Sequence, residues 1–184
     1  MYKAETVFFG TFKEKLRDGK EIDIINNIYQ EVEFAQYYEA VACESISGDI
    51  EYYLDMLSKN DRVLEIGTGN GRVLKPLLAH GIDIYGIEPE QAMLEFLNEE
   101  EKSRVYIGGI EKLTQFNHTS KYSYIIIPAT SVSLFDEQIF SNFLSEAKKV
   151  LNSKGKIIFD FINPGQIKKL DGVVSIDKIS DQLF

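Results

Sequence analysis

The segment VLEIGTGNGR, residues Val63–Arg72, decides the fold of this 184-residue chain. An apolar run leads into three glycines spaced G-x-G-x-G, and apolar residues at helical spacing follow them. Such glycines let the backbone turn sharply and let a ligand approach where a Cβ would obstruct it. The helix after the turn directs unpaired N–H groups toward the same ligand. The segment therefore predicts a buried strand, a ligand-binding turn and a helix.

Strand and helix patterns alternate from Arg62 onward. We predict strands at Arg62–Ile66, Ile82–Ile87, Arg104–Ile107, Tyr122–Ile127 and Lys156–Phe161. Helices are predicted from about Gly71 to Ala79, at Glu90–Asn98 and from Asp136 to Leu151. This alternation predicts an α/β fold with a doubly wound, mostly parallel sheet. Ligands bind such sheets at the carboxyl ends of the strands, beside the point where strand order reverses.

The residues before this alternation predict a helical lead-in. Apolar and aromatic residues recur at helical spacing over Ile22–Ala42, and Asp49 is expected to cap a second helix, Ile50–Leu57. We expect residues 1–58 to form an N-terminal helical lid. Residues 59–184 are expected to form the ligand-binding α/β core of what is one structural domain.

Composition narrows the range of partners. The net charge is −9, whereas nucleic-acid-binding proteins usually present a basic face. No apolar run is long enough to span a bilayer, and the first residues lack an export pattern. The single cysteine, Cys43, fits a reducing compartment. We expect a cytoplasmic protein that binds no nucleic acid, membrane or metal and acts on a small or carrier-bound molecule.

Acidic residues beside the glycine turn indicate which ligand it holds. A dinucleotide site usually has the spacing G-x-G-x-x-G, but position 72 is Arg where that pattern needs its last glycine. Glu65 lies two residues before the first glycine, where it would repel a pyrophosphate but suit a positive amino group. Glu88 ends the second strand and can accept both hydroxyls of a ribose, which occurs in both cofactor classes. The pattern favours a ligand that carries an amino group over a dinucleotide.

At this point the sequence resembles a known family. Residues Val63–Leu97 are similar to motifs I and II of the class I S-adenosylmethionine-dependent methyltransferases, in their small-molecule form. The resemblance covers about Tyr37 to Pro164 and includes the PATS stretch after the fourth strand. It implies a Rossmann-like methyltransferase fold, S-adenosylmethionine as cofactor and S-adenosylhomocysteine as product.

The resemblance also implies roles for individual residues. The methionine and ribose parts of the cofactor would contact Gly67, Thr68, Gly69 and Gly71. Glu65 would lie near the amino group, and Glu88 would accept from the ribose hydroxyls. Arg72 would close the loop or meet the carboxylate. The adenine would lie between Pro89, Met93 and Ile110. The methyl group and acceptor would lie near Pro128, Ala129 and Ser131, and Tyr37 or Tyr38 would cover the cofactor. Packing alone is an alternative interpretation of Met93 and the two tyrosines, and Ser131 could be a turn cap.

Two departures from the family pattern stand out. Gly109 occupies the place where relatives usually have an Asp that accepts from the adenine amino group; Glu111 or the backbone would have to replace it. Beyond Phe161 only Ile162–Phe184 remains, and Val173–Ile176 could form one short strand of the family's C-terminal strand pair. An uncovered apolar strand favours association. We therefore expect the C-terminal strand pair to be incomplete. Either the chain is a truncated form, or a second copy of it or a partner chain covers the fifth strand.

These observations predict a methyltransferase with a nitrogen or oxygen acceptor. No general base can be chosen, since His80 and His118 lie far from the motifs. An amine acceptor, which needs no strong base, is therefore favoured slightly. The alternative is a non-catalytic, methyltransferase-like subunit that serves as a scaffold, for which Gly109 and the short C-terminus argue. A nicotinamide-dependent oxidoreductase is a more distant third hypothesis.

Overall fold

A computed structural model describes residues 27–42, 48–116, 120–163 and 165. Its centre is one sheet of five parallel strands in the order β3-β2-β1-β4-β5. The strands are β1 Arg62–Ile66, β2 Asp83–Glu88, β3 Val105–Ile107, β4 Tyr122–Ile127 and β5 Leu151–Phe159. The predicted α/β fold with a mostly parallel, Rossmann-like sheet is confirmed.

Helices flank the strands along the chain. They are α1 Val32–Ala42, α2 Asp49–Met56, α3 Leu74–Ala79, α4 Glu99–Lys102 and α5 Glu137–Val150. Short 3₁₀ helices lie at Ile28–Gln30, Gln91–Phe96, Ile110–Gln115 and Ser131–Leu134. No helix among the described residues is long and apolar enough to cross a membrane.

Two apolar cores lie on opposite faces of the sheet. Successive residues of β1 point to opposite faces, so Val63 packs in one core and Leu64 in the other. The Val63 core is closed by α2 and α3 through Tyr53, Leu74 and Leu77. The other core is closed by α5, whose inward stripe is Phe143, Ala147 and Val150. The central strands are buried on both faces, as the apolar run YSYIII at β4 predicted.

The strand order reverses at β1, which lies between β2 and β4. The register pairs Ile66 with Ile87 and Ile127 with Phe159, so the strands end close to one level. The turns after β1, β2 and β4 therefore meet at one edge of the sheet. This edge is where the sequence predicted a ligand site.

Several predicted boundaries were wrong for local reasons. The helix expected from Gly71 begins only at Leu74, because Gly69 and Gly71 have left-handed backbone with φ of 55° and 82°. The helix expected at Glu90–Asn98 is a 3₁₀ helix that ends at Phe96, since Asn98 starts α4 in a reciprocal capping box with Glu101.

Three further boundaries differ from the prediction. Residues 22–26 of the helix predicted over Ile22–Ala42 lie outside the described residues, and the described part is divided at Glu31, whose backbone is extended. Gly48, not Asp49, is the N-cap of α2. Strand β5 begins at Leu151 and ends at Phe159, two residues before the predicted end. By contrast, the cap predicted for α5 is confirmed, because the Asp136 carboxylate accepts from the Ile139 N–H at 2.7 Å.

The predicted C-terminal strand at Val173–Ile176 lies outside the described residues, as do Cys43 and His118. Within the described part of the chain, β5 pairs only with β4. The expectation that a second copy or another chain covers β5 stays a prediction.

Candidate functional site

A cavity of about 790 Å³ opens at the carboxyl ends of β1, β2 and β4. Its floor is the first two glycines of the turn after β1, and its roof includes Asn27, Tyr29 and Tyr38 from the N-terminal helices. One side follows β2 and β3 and consists of Glu88, Pro89, Glu90, Met93 and Gly108–Glu111. The opposite side follows β4 and consists of Ala129, Thr130, Ser131, Ser133, Leu134, Phe135 and Ile139.

The three glycines of the turn have different reasons to be glycine. All three have left-handed backbone, with φ of 74° at Gly67, 55° at Gly69 and 82° at Gly71. Gly67 and Gly69 line the cavity, and a Cβ on either would already touch a neighbouring side chain at 3.4 Å. Gly71 does not line the cavity; a Cβ there would collide with Leu97. The first two glycines therefore shape the site, and the third is required by packing.

Glu65 is a buried carboxylate directly before this turn. It is 1% exposed, and its Oε2 has no hydrogen-bond partner among the described residues. Burial raises the pKa of the Glu65 carboxyl well above its usual range; Arg72 opposes the shift and Glu88 adds to it. A buried, incompletely paired acid is costly unless a donor or a cation satisfies it. Glu65 does not itself line the cavity, but it lies next to Ile66 and Gly67, which do, and its unpaired oxygen suits a positively charged amino group of a ligand.

Glu88 is held firmly at the end of β2. Its Oε2 accepts from the Gly69 N–H at 2.8 Å, and its Oε1 accepts from the Glu90 N–H at 3.0 Å. Burial raises the pKa of the Glu88 carboxyl, and the two backbone hydrogen bonds oppose that shift. Because each oxygen has a second lone pair and Glu88 lines the cavity, the group can still accept from a ligand's hydroxyls.

Glu111 fills the space left by Gly109. Both residues line the cavity. A Cβ on Gly109 would lie only 2.7 Å from Glu111 Cδ, so the Glu111 carboxyl occupies the volume of a side chain at position 109. A carboxyl group from two residues further along the chain thus lies where the family pattern has the side chain of an Asp.

Arg72 and Thr68 lie outside the lining of the cavity. Arg72 forms a two-bond pair with Asp49, with Nη1 at 3.0 Å from Oδ1 and Nη2 at 2.6 Å from Oδ2. This pair connects the turn to α2. Thr68 is buried, and its side chain packs where a Cβ on Gly86 would be. Neither side chain lines the cavity, but both bear on Glu65, because the Arg72 charge and the Thr68 hydroxyl oppose the rise in the pKa of its carboxyl.

The remaining predicted residues divide between the cavity and its surroundings. Tyr38 lines the cavity, and burial raises the pKa of its hydroxyl. Tyr37 does not line the cavity; its ring packs near Phe34. Pro128 is buried and lies outside the lining, whereas Pro89, Met93, Ile110, Ala129 and Ser131 all belong to it.

Tyr38 in the roof was predicted, but Asn27 and Tyr29 and much of the acceptor side were not. Asn27 donates from Nδ2 to Glu90 Oε1 at 2.7 Å and so joins the roof to the β2 side of the cavity. This contact spans 63 residues, and no local pattern indicates it. Thr130–Ile139 could have been found, because these residues follow β4 at the edge where the other turns meet.

Neither histidine provides a base in the described site. His80 lies at the exposed end of α3, with Nδ1 at 2.8 Å from the Pro76 carbonyl oxygen. His118 lies outside the described residues. Over the ranges that the structure describes, no cluster of His, Cys, Asp and Glu could hold a metal ion.

Comparison with known proteins identifies the family. The family described as "Methyltransferase domain" matches residues 63–155, which is half of the chain. The chain therefore belongs to this family. Together with the fold, this confirms the predicted class, the class I S-adenosylmethionine-dependent methyltransferases. None of the curated proteins matches the chain in sequence.

Solved structures agree on the fold. The CcbJ methyltransferase from Streptomyces caelestis is 21% identical, with a TM-score of 0.60 over 74% of this chain and 58% of its own. A TehB-like SAM-dependent methyltransferase from Corynebacterium glutamicum is 16% identical, with a TM-score of 0.59 over 75% of this chain and 78% of its own. A SAM-dependent methyltransferase from Archaeoglobus fulgidus is 22% identical, with a TM-score of 0.59 over 73% and 60%. This chain thus spans less than two thirds of two of the three.

Proposed function

We propose that this chain binds S-adenosylmethionine in the cavity and transfers its methyl group to a small or carrier-bound amine. The observation that carries the proposal is a pair of buried carboxyl groups at the Gly67–Gly69 turn: Glu88, which lines the cavity and accepts from the Gly69 N–H, and Glu65, which directly precedes the turn and lies outside the lining. One is incompletely paired at the place for an amino group, and the other faces the place for a ribose. A dinucleotide's pyrophosphate would meet negative charge at the same turn.

The residues of the cavity fit the cofactor part by part. Glu65 would accept from the amino group, and the Glu88 oxygens would accept from the ribose hydroxyls. Met93 and Ile110 are buried apolar residues on the β2 and β3 side, where they would enclose the adenine. The Glu111 carboxyl would accept from the adenine amino group. When bound, S-adenosylmethionine supplies an electrophilic methyl group on a positively charged sulfur.

The chain's own contribution to transfer is positioning and exclusion of water. Tyr38 and Asn27 on the roof and Ala129–Ile139 on the opposite side would enclose the acceptor beside the glycine turn. Among the described lining residues the charged groups are all acidic: Glu88, Glu90 and Glu111. Such a lining repels acidic acceptors and accommodates amines. It also lacks a histidine base, which an alcohol acceptor would require more than an amine would.

The scaffold alternative loses one of its two supports. It rested partly on Gly109, but Glu111 supplies a carboxyl at that place. A chain kept only as a scaffold has no reason to retain a buried, incompletely paired Glu65, because an unpaired buried acid lowers stability.

The test is formation of S-adenosylhomocysteine from S-adenosylmethionine with panels of small amines, alcohols and carboxylic acids. We expect turnover with members of the amine panel and none with the acids. Turnover with alcohols alone would contradict the amine assignment. Failure to bind the cofactor at all would contradict the proposal as a whole.

A further inference from the structure

The turn after β4 forms one wall of the cavity with strained backbone. Ala129 and Thr130 have φ of 54° and 57°, in the left-handed region that residues with a Cβ rarely adopt. Both residues line the cavity. Such a conformation persists only where the surrounding structure holds it, and it concentrates at binding sites. Some contact must therefore hold this turn.

The carboxylate of Asp160 is in place to do so. Strand β5 ends at Phe159, which pairs with Ile127 at the end of β4, so Asp160 lies beside the start of the turn. The Thr130 N–H donates to Asp160 Oδ2 at 2.8 Å. A hydrogen bond from an amide to a carboxylate is stronger than one between neutral groups. The second strained residue is thus fixed from the neighbouring strand.

The turn determines where Ser131 lies. Within it, the Ser131 N–H donates to the Pro128 carbonyl at 3.1 Å and the Ser133 N–H donates to the Thr130 carbonyl at 2.8 Å. Ser131 Oγ lies 3.4 Å from where a Cβ on Gly67 would be. Ser131 therefore packs over the first glycine of the cofactor turn, and the backbone at Thr130 sets that approach.

We propose that Asp160 is a positioning residue, which holds the left-handed turn at Ala129 and Thr130 through the Thr130 N–H and so keeps Ser131 against Gly67. Asp160 is exposed and is absent from the described lining of the cavity, so it acts through Thr130 and does not touch the ligand. Its effect on cofactor binding rests on the proposed function, whereas its hold on the turn does not.

Substitutions separate this role from a role for the negative charge itself. Asp160→Asn keeps an oxygen that accepts from the Thr130 N–H but removes the charge. Asp160→Ala removes the acceptor. In Asp160→Ala/Thr130→Gly the acceptor is also missing, but glycine adopts the left-handed conformation without steric cost. Asp55→Ala, an exposed aspartate on α2, is the matched control.

Two measurements on the full chain test the proposal: calorimetric affinity for S-adenosylhomocysteine, and hydrogen exchange of the Ser131 and Ser133 amides without ligand. We expect Asp160→Ala to weaken binding roughly tenfold, as loss of one hydrogen bond to a charged group would, and to speed exchange of both amides. Asp160→Asn and the double variant should recover most of both losses. Asp55→Ala should behave as the wild type.

Two results would overturn the proposal. One is that Asp160→Ala leaves exchange and affinity unchanged. The other is that Asp160→Asn is as impaired as Asp160→Ala, which would assign the effect to charge. If the wild-type chain does not bind S-adenosylhomocysteine, the proposed function fails, and exchange at Ser131 and Ser133 still decides whether Asp160 holds the turn.

Discussion

Glu65 has an environment that favours its neutral form in the free protein. Burial raises the pKa of its carboxyl far more than Arg72 lowers it, and one oxygen lacks a partner in the described part of the chain. An enzyme that binds a positively charged amino group gains from such a residue, because the ligand supplies the missing partner. Glu65 therefore lowers the stability of the free protein and raises its affinity for the ligand.

The free energy of unfolding of Glu65→Gln, measured as a function of pH, tests the cost in stability. The folded protein keeps the Glu65 proton to a higher pH than the unfolded chain does, so the free energy of unfolding falls as pH rises from the ordinary carboxyl pKa through the raised one. Glutamine does not titrate. We expect the variant to equal the wild type below about pH 4 and to be more stable by about 1–3 kcal/mol at about pH 8. Urea unfolding measures the difference.

The control for that measurement is Glu51→Gln, an exposed glutamate on α2. The free energy of unfolding of this variant should stay close to that of the wild type, because the side chain is exposed. If the advantage of Glu65→Gln were constant with pH, the Glu65 carboxyl would have the same pKa in the folded and the unfolded protein, and its pKa would not be raised.

Position 109 allows a second test at the residue scale. Glu111→Ala should weaken S-adenosylhomocysteine binding about fivefold to tenfold. This loss is smaller than is usual when a hydrogen bond to a charged group is removed, because Glu111 is exposed. Gly109→Asp alone should weaken binding as well, since the new side chain would collide with the Glu111 carboxyl. The double variant Gly109→Asp/Glu111→Ala should restore affinity, because it returns one carboxylate to the same volume. Calorimetry decides, and a double variant no better than Glu111→Ala would contradict the replacement.

At the scale of elements, two contacts attach the N-terminal helices to the glycine turn. Arg72 pairs with Asp49 of α2, and Asn70 donates to Glu39 of α1. The roof of the cavity is thus connected to its floor through polar contacts. Elements that cover a site are often linked to the loops that bind the ligand, so that closure and binding occur together.

A double-mutant cycle on Arg72 and Asp49 measures the stronger of these contacts. Arg72→Met should lower the free energy of unfolding by about 2–3 kcal/mol, less than for a fully buried pair because Asp49 is 23% exposed. With Asp49→Asn and the double variant, we expect a coupling of about 1–2 kcal/mol. The same cycle on the exposed pair Glu99 and Lys102 of α4 should give no measurable coupling. Equal coupling in the two cycles would contradict a structural role for Arg72.

The distance in sequence between contacting residues explains which features could be predicted. Strands β1, β2 and β4 follow from apolar runs, and the cap of α5 follows from Asp136, because these signals are local. The role of Gly71 depends on Leu97, and that of Arg72 depends on Asp49, each more than twenty residues away. The resemblance implied a cofactor contact for Gly71 and left Arg72 between closing the loop and meeting the carboxylate, because a motif carries no information about partners distant in sequence.

At the scale of the whole molecule, the parallel sheet assembles the site. Four segments far apart in sequence meet where the strand order reverses: Asn27–Tyr38, Gly67–Gly69, Glu88–Glu111 and Ala129–Ile139. The middle two could be predicted from motif spacing and strand ends. In the roof, Tyr38 was predicted, but the contact of Asn27 with Glu90 depends on tertiary packing that one sequence does not reveal. Beyond Ser131 the acceptor side is marked only by its place after β4, without a motif. The site for the cofactor was therefore easier to predict than the site for the acceptor.

We propose that S-adenosylmethionine is held by Glu88, which lines the cavity, and by Glu65, which lies directly before the glycine turn and outside the lining. Titration calorimetry with S-adenosylhomocysteine on the wild type, Glu65→Gln and the control Glu51→Gln tests this proposal most directly. We predict saturable 1:1 binding to the wild type and the control, and at least tenfold weaker binding to Glu65→Gln, as expected when a charged hydrogen bond is lost. Absence of binding heat in the wild type, or equal affinity in Glu65→Gln, would contradict it.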